Sequence, residues 1–208
     1  MVDQHESRFD EQLALLLRVN TLRQQGAFLE AITLCREGIE GPGGTPDLLA
    51  LVAECYYALA LSNPMETGEN SQSAIDWMTK ASAARPDEAR FHASLAEYYW
   101  LGSLDYERAA QEFRKAILLA PNRVATFRGA VALYGVPENV VTLEEATGWL
   151  ERAARLEPDD PNLHAHLGEL YLQAGRLPEA KLAWRRALLC PKPPDPGYTR
   201  SIRLDNGT

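Results

Sequence analysis

LHAHLGELYLQAG, residues Leu163–Gly175, places a small residue, Gly168, directly after Leu167 and an aromatic, Tyr171, three positions later. Ala180 and Trp184 follow downstream. The same spacing returns in FHASLAEYYWLG (Phe91–Gly102) as Leu95, Ala96 and Tyr99, followed by Ala109, Phe113, Ala116 and Pro121. LLALVAECYYAL (Leu48–Leu59) carries it again as Val52, Ala53 and Tyr56. A spacing that recurs along a chain is the mark of a repeat architecture, and it takes precedence over any element-by-element reading.

The corners between repeats are written as clearly. Pro86-Asp87, Pro121-Asn122 and Pro158-Asp159 each close a helix-forming stretch: WMTKASAAR, FRKAILLA and LERAARLE. An alanine stands five residues before each proline (Ala81, Ala116, Ala153), and another seven residues before that (Ala74, Ala109, Ala146). Seven residues make almost two helical turns, so each pair of alanines lies on one face and lets a neighbouring helix approach closely. Proline stops the helix because it lacks an amide donor and restricts the residue before it. The following Asp or Asn is expected to cap the next helix through its first free amides.

These residues resemble the tetratricopeptide repeat, with its W-x₂-L-G-x₂-Y signature and period of about 34 residues. The resemblance runs over residues 12–194 in five units, 12–45, 46–88, 89–123, 124–160 and 161–194, of 34, 43, 35, 37 and 34 residues. The excess over the family period is expected between the two helices of a unit, where insertion costs little. The first unit departs from the pattern with Arg18-Val19 and Gly38, and the fourth with Val131 and Gly129. His92 and His164 stand where the signature has tryptophan and are read as packing residues. The resemblance implies an all-α fold, a right-handed α-solenoid superhelix of five antiparallel helix-turn-helix units. A polar segment, 1–11, precedes the array and an extended tail, 195–208, follows it.

Composition bounds the function. The 208 residues carry a formal net charge of −8, which disfavours nucleic acid and anionic membrane as partners. Charge is uneven: −5 in the second unit, −4 in the fourth and +3 in the fifth. Met1–Glu11 is polar and lacks the apolar core of a signal peptide, and no run approaches the roughly 20 apolar residues of a membrane helix. Cys35, Cys55 and Cys190 form no CxxC pair and read as reduced thiols, so a cytoplasmic location is expected. Gly41-Pro42-Gly43-Gly44 has no following Lys-Ser/Thr, and HExxH, GxSxG and paired CxxC motifs are absent. His164 and His166, two apart on a helix, point in different directions and do not share a metal. The chain is therefore read as non-enzymatic, without catalytic residues, cofactor or metal.

In the family the first helix of each unit lines a concave groove. That resemblance nominates Asn20 and Arg23 from the first unit, Glu54 and Tyr57 from the second, and Glu97 and Trp100 from the third. Arg128 comes from the fourth unit, and His166 and Glu169 from the fifth. Glu54/Tyr57 and Glu97/Trp100 are each three apart, so carboxylate and ring are expected to share a helix face and to suit a basic protein segment. The implied function is a protein-interaction scaffold or adaptor, with an assembly chaperone or a non-catalytic accessory subunit as alternatives. A chaperone-tail clamp is disfavoured, because of Leu16, Asn20 and Leu51 only Asn20 fits it. Two further features are singled out. The insertion Ser62–Glu69 reads as a long loop, functional or merely tolerated. The last helix, with Leu182, Trp184, Leu188 and Leu189, needs cover from the tail, a second copy or a partner.

Overall fold

The computed structural model describes residues 2–40, 45–63 and 67–191, with side chains from residue 11 onward. Among these residues there are no strands and ten α-helices: α1 (Val2–Gln24), α2 (Phe28–Glu40), α3 (Pro46–Ser62), α4 (Thr67–Ala84), α5 (Ala89–Glu97), α6 (Tyr106–Leu119), α7 (Val124–Ala132), α8 (Leu143–Leu156), α9 (Pro161–Gln173) and α10 (Leu177–Leu189). The polar residues 2–11 are thus part of α1. The chain divides into two compact units, residues 1–119 with α1–α6 and residues 120–208 with α7–α10. In the first, α1 packs on α2, α2 on α3, α3 on α4, α4 on α5 and α5 on α6; in the second, α7 packs on α8, α8 on α9 and α9 on α10. Packing between helices adjacent in sequence is what makes the fold an all-α solenoid.

The small residues do what their spacing requires. Ala74, Ala81, Ala109, Ala116, Ala146 and Ala153 are all completely buried. In the first unit Ala74, Ile75, Met78 and Ala81 of α4 meet Phe91 and Leu95 of α5. Ala31, Ile32 and Cys35 of α2 meet Leu48, Val52 and Cys55 of α3. In the second unit Ala165, Ala180, Trp184 and Ala187 form the corresponding cluster.

The corners fold differently from the sequence expectation. Asp87, Asn122 and Asp159 do not cap the next helix; the N-caps are Glu88, Arg123 and Asp160, and only Asp160 accepts a side-chain bond, from the Asn162 amide. Each proline pair instead forms the middle of a β-turn, closed by Glu88 N–H to Arg85 O (3.2 Å), Arg123 N–H to Ala120 O (3.3 Å) and Asp160 N–H to Glu157 O (3.3 Å). Proline suits the second position of such a turn, which fixes its φ in advance. Two histidines then hold the corner. Nε2 of His164 donates to Pro158 O at 2.7 Å, and Nε2 of His92 donates to Pro86 O at 3.0 Å. His92 also places Nδ1 2.6 Å from Glu112 of α6, whose other oxygen accepts from Lys115. The packing role expected for both residues holds, since both are buried, but each also ties the corner that precedes it. Replacing His92 with Ala should destabilise the chain by about 1–3 kcal/mol, more than His164→Ala, because a largely buried carboxylate also loses one of its two partners. Urea unfolding of the two variants checks this; equal losses would mean that Glu112 contributes nothing.

The excess residues are absorbed within helices, not only between them. In the second repeat α3 has 17 residues and α4 has 18, against 13 each for α9 and α10. Ser62 is the last residue of α3, and Thr67–Glu69 open α4; residues 64–66 lie outside the described residues. Ser62 and Thr67–Glu69, half of the insertion read as a loop, are thus helix. Thr67 stitches its two ends by donating to Ala60 O (3.1 Å) and Asn63 O (3.2 Å). The single extra residue of the third repeat appears as a six-residue π-helical turn, Tyr98–Ser103, at the end of α5. It closes on Leu104, a left-handed residue with φ 56°. Gly102 sits against α4, where a Cβ would lie 3.0 Å from Ser71 Cβ. The fourth repeat puts its excess in a connection, residues 133–142.

Candidate partner-binding site

Of the nine residues nominated from the sequence, six lie in the first unit and three in the second. Those of the first unit come from α1, α3, α5 and the π turn. Among these residues, Arg23 of α1 and Glu54 of α3 form a charged pair in contact. Arg23 Nη2 lies 2.6 Å from Glu54 Oε2, and Arg23 Nη1 donates to Asn20 Oδ1 at 3.1 Å. One turn further along α3, Tyr57 stacks on Tyr98, with ring centroids 4.3 Å apart and planes tilted by 31°. Tyr57 Oη is buried without a hydrogen-bond partner among the described residues.

The electrostatics join these groups into one strip. Burial, then the nearby Glu97 carboxylate, raises the Tyr57 phenol above its ordinary pKa. Tyr98 is pushed up further by burial, with Glu54 and Glu97 adding to it. Both phenols therefore remain neutral donors at physiological pH. Asn20, Arg23, Glu54, Tyr57 and Glu97 form a polar and aromatic strip with Tyr98 beneath it.

Tyr98 was not nominated. The legible signal was its register: counted from the start of its repeat, it occupies the position of Cys55 and Leu170, both buried. Trp100 lies outside α5 itself. It lies half-buried inside the π turn, whose wider i→i+5 ladder breaks the three-residue facing that would pair it with Glu97.

In the second unit, Arg128 is committed to the corner between α8 and α9. It pairs with Glu157 at 3.0 Å and with Asp160. His166 of α9 is half-buried, and burial lowers its pKa, partly opposed by Glu169 one turn away. The imidazole is accordingly neutral near pH 7. Cys35 and Cys55 are buried thiols, pushed by burial to about 12 and about 11, out of the reactive range. No helix among the described residues is long and apolar enough to cross a membrane.

Helix order and stacking have counterparts among solved structures. The crystal structure of MamA superposes with a TM-score of 0.65 over 89% of this chain and 96% of that one, at 16% identity. MamA 41-end from Desulfovibrio magneticus RS-1 gives 0.66 over 96% and 98%, at 14% identity. TTC0263, a thermophilic TPR protein in Thermus thermophilus, gives 0.54 over 93% and 97%, at 22% identity. The fold is that of the tetratricopeptide repeat. At such identities the likeness is one of fold, and function must be argued from this chain's own TPR surface. No protein-family model matches the sequence. No curated protein matches it either. In TPR terms, α1, α3, α5, α7 and α9 are the first helices of five repeats, and the strip of the first unit lies on three of them.

Proposed function

We propose that this chain is a non-catalytic, cytoplasmic scaffold or adaptor that grips a segment of another protein along the strip on α1, α3 and α5. The observation that carries this reading is the Arg23–Glu54 pair beside the Tyr57–Tyr98 stack. A guanidinium of the chain itself already sits on Glu54, beside the half-buried Tyr57 ring, which offers apolar area. A partner segment bearing Arg or Lys would take the place of Arg23 on Glu54 and engage Glu97 in the same way. Arg128, His166 and Glu169 are proposed as secondary contacts in the second unit.

The reading makes two predictions of opposite sign. Glu54→Gln with Glu97→Gln should weaken a basic partner about 3- to 10-fold and flatten its salt dependence, since partly exposed ion pairs contribute about 0.2–1 kcal/mol each. Arg23→Ala should strengthen it, because the competing internal cation is gone. Partners cross-linked from the native organism through a photoreactive residue at Asn20 supply the ligand, and titration at two salt concentrations supplies the numbers. A transient client, a stable stoichiometric partner and an assembling subunit separate at the same step. Affinity indifferent to all three substitutions would move the contact to another surface.

A further inference from the structure

The second helices of the repeats can be compared position by position from their first buried alanine: Ala31 in α2, Ala74 in α4, Ala109 in α6, Ala146 in α8 and Ala180 in α10. The next residue is buried in the first four, as Ile32, Ile75, Ala110 and Thr147, none more than 6% exposed. In α10 it is Lys181, which is exposed. Eight positions after the alanine stand Ile39, Ser82, Ile117 and Ala154, all buried or half-buried; in α10 it is Leu188, 57% exposed. Leu177, one turn before Lys181, is 52% exposed, and Arg185 completes the stripe.

What covers this face elsewhere is a helix. α3 packs on α2, α5 on α4 and α9 on α8. Each brings apolar residues spaced i, i+4, i+7: Leu48, Val52, Cys55; Phe91, Leu95, Tyr98; Leu163, Leu167, Leu170. All nine are buried. The α10 face has the same frame but different chemistry, with leucines at its ends and Lys181 and Arg185 between them.

Charge selects the occupant. The equivalent positions of α1 are Ala14, Arg18 and Thr21, all exposed, so the first repeat of a second copy would bring one small side chain, one hydroxyl and a like charge. Residues 192–208 are reached directly from α10, but they carry three bases (Lys192, Arg200, Arg203) against Asp195 and Asp205. Neither complements a basic face. We propose that the outer face of α10 docks an acidic amphipathic helix of a partner protein, with apolar residues at i, i+4 and i+7 and carboxylates flanking them. The helix takes the place of a sixth repeat's first helix, its carboxylates meeting Lys181 and Arg185 while its apolar stripe covers Leu177 and Leu188.

Two labelled synthetic helices test this on the full chain: one with Leu at i, i+4, i+7 and Glu at the flanking positions, the other with Lys in place of Glu. Fluorescence anisotropy should show binding of the Glu helix only. Lys181→Glu with Arg185→Glu should weaken it at least about tenfold and admit the Lys helix, and Leu188→Ser should weaken it without changing which charge is preferred. Circular dichroism confirms that the variants fold. Binding of neither helix, or equal binding of both, overturns the proposal. So does a dimer of the wild-type chain that Leu188→Ser dissociates, which would seat a second copy on the face. Tighter binding after removal of residues 192–208 would likewise assign the face to the chain's own segment.

Discussion

Phe91→Ala is expected to destabilise the first unit by about 3–5 kcal/mol, the range for emptying a fully packed aromatic site. The ring is 1% exposed and fills the space between Ala74, Met78 and Ala81 of α4 and Leu95 of α5. Its edge of the core is roofed by Arg90, 4.6 Å from the ring centroid, and by Arg85 at 5.8 Å. Both guanidiniums also serve Asp47, so the loss would reach an ion-pair cluster that holds the carboxyl of Asp47 below its ordinary range. Against a typical total of about 5–15 kcal/mol this is a large fraction. The effect should be local, because each repeat contacts only its neighbours. Hydrogen exchange should rise through α4 and α5 while α9 and α10 keep their protection. Uniform loss across both units would show that the chain folds as one cooperative body.

Gly168→Ala should cost about 1–3 kcal/mol, an unusual penalty for a substitution that favours helix. α9 needs no special backbone at this position. The reason is proximity: a Cβ on Gly168 would run into the Trp184 indole of α10. The indole lies so close over the α9 backbone that its Nε1 is buried without a hydrogen-bond partner among the described residues. Shrinking the neighbour should repair the clash. Trp184→Leu in the Gly168→Ala background should be less harmful than in the parent, a coupling that a double-mutant cycle on thermal unfolding measures. Simple additivity would show that Gly168 and Trp184 do not constrain each other.

The same pair shows why so much of the fold was legible. Gly168 and Trp184 lie 16 residues apart in sequence, within one repeat, and most contacts in a solenoid are of this short range. A spacing rule therefore reports packing directly, and the alanines of α4, α6 and α8 are buried as their spacing required. The corners were less legible because Pro-Asp can cap a helix or build a turn, and His92 and His164 reveal a carbonyl bond only once the chain has turned. In the candidate site, the sequence offers Arg23 and Glu54 each as a candidate groove residue. Their contact depends on two side chains meeting between repeats, which neither helix encodes alone. The π turn around Trp100 was not legible because periodic reasoning assumes one ladder throughout, and the ladder changes at Tyr98.

That change of ladder makes the array behave like a text with a reading frame. One surplus residue in an unbroken α-helix rotates every later residue of that helix by about 100°, which here would re-aim the corner from which α6 departs. The Tyr98–Ser103 turn takes up the surplus where it arises, so α6 enters in phase and Ala109 and Ala116 remain buried. It acts as a local suppressor of a frameshift. A repeat protein that can host such turns is free to gain single residues without rewriting the rest of its length.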